Sequence, residues 1–187
     1  PSASSRGGGA TFGGRNRRII SPNSPQSPPP PETRTLNEPG EWTFFVSHTQ
    51  RNASAAGMAE KITNELERRR HSCWLDVKMR DKSEAAMREG VQNCKCVLAL
   101  ITGPVVNNDR PDDAPESNAY FNREYCLQEL RWAKEAGIPI QPIVRAQDKP
   151  RIGEFLAAAP DDLKDLGQVD FIHLDGSDID YWNLGID

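Results

Sequence analysis

With 187 residues the chain is long enough for one domain and a tail and short for two domains of ordinary size, and at 36% hydrophobic residues part of it falls outside any core. A net charge of −4 supplies no global positive field for nucleic acid or anionic membrane. The four cysteines (Cys73, Cys94, Cys96, Cys126) contain no C-x-x-C pair, which excludes a disulfide scaffold, a zinc ribbon and a thioredoxin-type motif, and they read as buried free thiols in a reducing compartment. Beginning at Pro1 rather than methionine and stopping soon after Trp182-Asn183-Leu184, the sequence reads as a segment of a longer protein.

Residues 1–40 differ in kind from the rest. Gly7-Gly8-Gly9, Gly13-Gly14 and Pro28-Pro29-Pro30-Pro31 cannot bury enough apolar area to offset chain entropy, so a disordered linker is expected. Ser21-Pro22, Ser24-Pro25 and Ser27-Pro28 are candidate phosphorylation sites or SH3/WW ligands. A domain is expected over residues 41–187. Its first strand is Trp42-Thr43-Phe44-Phe45-Val46-Ser47. Ser54 is the expected cap of a helix carrying Met58, Ile62 and Leu66 on one face. Residues 72–76 form a second strand, and Ser83 opens a helix with Met87 and Val91 on one side. Residues 96–102, the most apolar run, suit a sheet centre. After a loop around residues 107–113, residues 120–136 predict a helix closed by Gly137. A fourth strand over residues 138–144 carries two prolines, which predicts irregular pairing or an edge. A short helix over residues 154–166 and a strand over 169–174 follow.

Five strands alternating with helices predict a doubly wound α/β domain, with a flavodoxin-like parallel sheet in the order 2-1-3-4-5 and helices on both faces. Ligands of such sheets bind beyond the carboxyl ends of the strands. The candidate site is therefore built from the segments after Ser47 and after Asp76 and from the helix that follows the third strand. A response-regulator receiver would need an acidic pair after strand one and an aspartate ending strand three, where Ser47-His48 and Thr102-Gly103 stand. The glycine clusters precede any strand, so no dinucleotide-binding turn is present, and a P-loop is absent. His48, His71 and His173 lie on separate segments without metal-ligand spacing.

Three segments in order resemble one family. Phe44-Phe45-Val46-Ser47-His48 is similar to the first box of TIR (Toll/interleukin-1 receptor) domains. Trp74-Leu75-Asp76-Val77-Lys78-Met79 resembles their second strand and the start of the BB loop, and Tyr125-Cys126-Leu127-Gln128-Glu129-Leu130 their aromatic-Cys-Leu-x-Glu-Leu helix. Ile138-Pro139-Ile140-Gln141-Pro142-Ile143 matches the fourth strand, so the resemblance covers roughly residues 42–182. It implies a cytoplasmic signalling domain of one of two kinds: an adaptor acting through TIR–TIR contacts, or an enzyme cleaving NAD to nicotinamide and linear or cyclic ADP-ribose when assembled. In the enzymatic members a glutamate of the third helix is catalytic, and by motif match that is Glu129. NAD is then a substrate, with no cofactor or metal. Further copies of the domain are the implied partners, through a BB loop at residues 77–82. The resemblance also implies a final helix, of which this sequence holds only part.

The chemistry can be argued from the residues. The nicotinamide of NAD leaves as a neutral molecule, so no general acid is required, and positive charge develops on the ribose. One fixed carboxylate can stabilise that charge. Tyr125 and Trp132, four before and three after Glu129, share its helical face and are expected to desolvate the carboxylate and wall a ribose pocket. The alternative is a surface glutamate pairing with Arg131 or Lys134. Trp74, ending strand two, is a candidate to stack on nicotinamide, against the alternative of a core tryptophan. Ser47 and His48 are candidate donors to ribose or phosphate. Thr49-Gln50 stand where several members have arginines, which leaves Arg51, Lys78, Arg80 and Lys82 as candidate phosphate contacts. A Cys126/His48 nucleophilic pair is a further reading, against a packed, inert thiol.

Overall fold

The computed structural model describes residues 35–106 and 112–186, together with the backbone of the last helix. The expectation for residues 1–34 and the loop at 107–111 lie outside the described residues.

The strands are β1 (Trp42–Ser47), β2 (Cys73–Trp74), β3 (Cys94–Leu100), β4 (Ile140–Arg145) and β5 (Ile172–Leu174), and the helices are α1 (Ala53–Arg68), α2 (Glu84–Gln92), α3 (Glu124–Ala136), α4 (Ile152–Ala157) and α5 (Ile179–Ile186). All four pairings are parallel and the order is β2-β1-β3-β4-β5, as the alternation of elements predicts. Side chains alternate across the sheet, so neighbouring residues serve different layers. Phe45, Val97, Ala99 and Val144 pack with Val91 of α2 and Leu130, Trp132 and Ala133 of α3. Val46, Leu98, Leu100 and Ile143 pack with Ala55, Ala59, Ile62 and Leu66 of α1 and with Trp182 of α5.

Several boundaries differ from expectation. Asn52, not Ser54, caps α1: its side chain accepts from the amide of Ala55 at 3.1 Å. Ser54 instead donates to Asn52 and accepts from Arg145 at the end of β4, itself paired with buried Asp148. β2 is cut to two residues because the chain turns at Asp76–Lys78 into a 3-10 turn. α3 begins at Glu124, preceded by a separate 3-10 turn at Tyr120–Asn122, and ends on Gly137, whose φ of 68° is the left-handed conformation that glycine adopts without strain. β4 is interior, not an edge. Its Pro142 pairs with Ala99 of β3, and β5 begins opposite the next residue, Ile143, so the missing N–H of Pro142 lies beyond the β5 ladder. The helix expected over residues 154–166 is two pieces, α4 and a 3-10 stretch at Asp161–Gln168, divided at Pro160.

The ordered domain also starts earlier than Glu41. Asn37, 8% exposed, donates from Nδ2 to the carbonyl of Asp81 at 2.8 Å and accepts at Oδ1 from the Asp81 amide at 2.9 Å. The Leu36 amide donates to the Glu89 carboxylate at 3.2 Å. Residues 35–40 are therefore a strap fastened to the 77–82 loop and α2, not part of a tail.

Candidate functional site

The carboxyl edge of the sheet carries a cleft of about 320 Å³ over the ends of β1 and β2 and the first turns of α3. His48, Thr49 and Gln50 line it after β1, Asp76 after β2, and Lys82 and Met87 from the loop and α2. Arg123, just before α3, and Tyr125, Cys126 and Glu129 of α3 complete the lining. Such a volume lies at the lower end of small-molecule sites.

Glu129 is the acid at the base of this cleft, 8% exposed. Ser47, the last residue of β1, donates to its Oε2 at 2.5 Å, and the same Ser47 Oγ lies 2.6 Å from the hydroxyl of Tyr120. Burial pushes the Glu129 carboxyl up from the ordinary 4.5 to about 8; the Ser47 hydrogen bond pulls it back and the Asp76 charge adds to the rise. The same burial forces Tyr120 well above the usual phenol value. Burial also holds His48 below the ordinary histidine value, while the Asp76 charge works against it. The cleft therefore presents a largely protonated Glu129 and a largely neutral His48 near pH 7. The Asp76 carboxylate accepts from Gln50 Nε2 and from the Val77 amide, which ties β2's end to the segment after β1.

The structure gathers five of the expected residues: Glu129, His48, Tyr125 and Lys82 line the cleft, and Ser47 lies beneath Glu129. Tyr125 is 53% exposed, so its ring is an open wall. Glu129 does not pair with Arg131 or Lys134, which bind Asp162 and Asp165 on the outer surface.

Six expectations are corrected. Trp74 is 1% exposed and stacked on Phe45, with ring centroids 4.4 Å apart, on the α2/α3 side of the sheet; it is a core residue and does not reach the cleft. Trp132 is likewise core, with its face toward Arg88, and walls no pocket. Lys78 turns away to Glu67 at 2.7 Å and Asn64 at 2.8 Å. Arg80 is exposed outside the cleft, and Arg51 pairs with Asp113 at 3.6 Å. The Cys126 thiol points to the backbone carbonyl of His48, not to its imidazole, and burial pushes the thiol well up, so the pair is not a nucleophile and base. Sequence reasoning missed Asp76, Arg123 and Met87 as lining residues and Tyr120 as a partner of Ser47. Only Asp76, ending a predicted strand, carried a positional signal. Among the described residues no cluster of ligating side chains could hold a metal ion. No helix among them is long and apolar enough to cross a membrane.

A five-stranded parallel sheet of this order, covered by helices on both faces, is a flavodoxin-like α/β domain. Residues 44–181 match the TIR domain model, and the chain belongs to the TIR domain family. Among solved structures it is similar to the TIR domains of the activated Roq1 resistosome directly recognizing the pathogen effector XopQ, with a TM-score of 0.50 and 10% identity over 78% of this chain and 95% of that one. At this identity the likeness concerns the fold alone. No curated protein matches the chain.

Proposed function

We propose that this TIR domain cleaves the nicotinamide–ribose bond of NAD, as a glycohydrolase or ADP-ribosyl cyclase, in cytoplasmic signalling or defence, and that self-association through residues 77–82 activates it. The carrying observation is the Glu129 carboxyl, buried at the base of an open cleft and anchored through one oxygen by Ser47. A desolvated carboxylate is worth more against a developing cation than one in water. The cationic nicotinamide-ribose of NAD favours the ionised form of Glu129, so substrate binding itself draws the proton off. Glu129 then holds the ribosyl cation as neutral nicotinamide departs. Tyr125 keeps the wall expected of it and takes the nicotinamide stacking first assigned to Trp74. Of the four phosphate candidates Lys82 keeps the role, and Arg123 joins it in place of Arg51, Lys78 and Arg80. The exposed Val77 in the loop and the assembled state in which the Roq1 domains were solved support activation by self-association.

The test is nicotinamide release from NAD by concentrated protein, with and without a crowding agent, beside Glu129→Ala. Release by the wild type and not by the variant supports the reading. No release from protein that light scattering shows to be assembled moves the assignment to a non-catalytic TIR adaptor.

A further inference from the structure

We propose that Tyr120 is a positioning residue for Glu129, acting through Ser47: it commits the single serine proton to Oε2 and so leaves Oε1 as the oxygen that meets substrate. The inference rests on the NAD-cleaving reading only for what the freed oxygen does, not for the arrangement itself.

The argument is proton counting. A serine hydroxyl has one proton and can give it to one acceptor. Ser47 Oγ has two neighbours at hydrogen-bond distance, Glu129 Oε2 at 2.5 Å and the Tyr120 hydroxyl at 2.6 Å. A carboxylate only accepts, so when Glu129 is ionised the serine proton points to Oε2 and Tyr120 must donate to Ser47. The reverse chain would run from a protonated Oε2 to Ser47 and on to Tyr120. It would turn the phenolic O–H into the core, where the Tyr120 oxygen has no other partner among the described residues. A buried donor left without an acceptor is costly, so the reverse chain is disfavoured. The chain therefore keeps one direction in both states, and when Glu129 is protonated its proton resides on Oε1. Among the described residues Oε1 has no hydrogen-bond partner. It is the oxygen left for the cleft.

The tyrosine also strengthens the serine as a donor, because hydrogen bonds in a chain polarise one another. The charge bearing on Glu129 is that of Asp76 after β2; the other ionisable groups lining the same cleft are Lys82 from the 77–82 loop, Arg123 just before α3, Tyr125, His48 and Cys126.

The experiment follows the Glu129 side-chain carboxyl by carbon NMR across pH, in the wild type, Tyr120→Phe and Ser47→Ala, with Glu129→Gln to assign the signal. Ser47→Ala removes a hydrogen bond to the charged form and raises the midpoint by about one to two pH units. Tyr120→Phe removes only the polarisation of that bond and raises it by roughly 0.2–0.5. Tyrosine replaced at position 120 by 3-fluorotyrosine, a stronger donor, lowers it. That opposite sign separates positioning from packing and stands if the Phe variant does not fold. A midpoint unmoved by Tyr120→Phe, or moved the same way by both changes at position 120, overturns the proposal. The titration needs no turnover, so wild type that releases no nicotinamide defeats the NAD reading and leaves this inference intact. In a protein that does turn over, the pH profile of kcat/KM moves with the NMR midpoint.

Discussion

Glu129→Gln should make the protein more stable than the wild type, by an amount that grows as pH rises from about 4.5 to about 8. Glutamine keeps the size of the side chain and an oxygen to accept from Ser47, and it removes the charge. The carboxyl titrates near 8 when folded against an ordinary 4.5, so over an interval of about 3.5 pH units the unfolded chain has lost a proton that the folded chain keeps. The unfolded state then holds fewer protons than the folded state, and wild-type stability falls as pH rises by up to about 1.4 kcal/mol per pH unit. The contribution is fully present below about 4.5, is lost through about 8 and is flat above. The full interval gives a ceiling of roughly 5 kcal/mol, and relaxation and water entry around a real buried ion reduce it to about 2–3 kcal/mol. Urea unfolding of both proteins at pH 5, 7 and 9 measures it. The Gln variant should gain on the wild type by a few kcal/mol from pH 5 to 9. Parallel stability curves would refute the assignment of Glu129 as a buried neutral acid.

Three further outcomes are expected. Asn37→Ala removes both bonds to Asp81, so hydrogen exchange at the Asp81 amide should speed up by about tenfold or more while β3 amides are unchanged, since each lost bond is worth about 1 kcal/mol; an unchanged Asp81 rate would mean the strap holds nothing. Gly90→Ala places a Cβ 2.7 Å from the Trp74 ring, and overpacking of about 1–3 kcal/mol outweighs the gain of about 1 kcal/mol in helix propensity, so thermal melts should show a net loss. Trp74→Phe should leave nicotinamide release unchanged, because the indole is buried against Phe45 with its N–H unpartnered. A stacking residue would cost up to about tenfold, and a loss of that size would return Trp74 to the site.

Much of the sheet was legible because its signals are local. Strand β1 is bounded as its aromatic run suggests, and the alternation of elements fixes an order that parallel pairing and right-handed crossovers then restrict. Ser83 does cap α2, accepting from the Ala86 amide at 3.2 Å. Legibility failed where a distant partner decided. Asn52 and Ser54 are both capping types, and only Arg145, 91 positions away, fixes which one is left for α1. Trp74 ends a strand as read, but its face depends on its neighbour Phe45 across the sheet. Glu129 was found through a motif, whereas Tyr120 precedes it on a separate turn and meets Ser47 across 73 residues. No periodicity encodes that meeting. The basic residues show the same limit: Lys78 and Lys82 share one loop, yet only Lys82 borders the cleft.

The strap has a practical meaning for anyone choosing where to cut this chain. Two hydrogen bonds from one side chain make the positions of residue 37 and of the 77–82 loop a single variable. A shift of about 1 Å takes both bonds past their useful length together, since each already lies near the usual donor–acceptor distance. A fragment beginning at Glu41, the boundary composition suggests, would keep every strand and lose the tie. Its 77–82 loop would be released from Asn37 and would report the behaviour of an untethered segment.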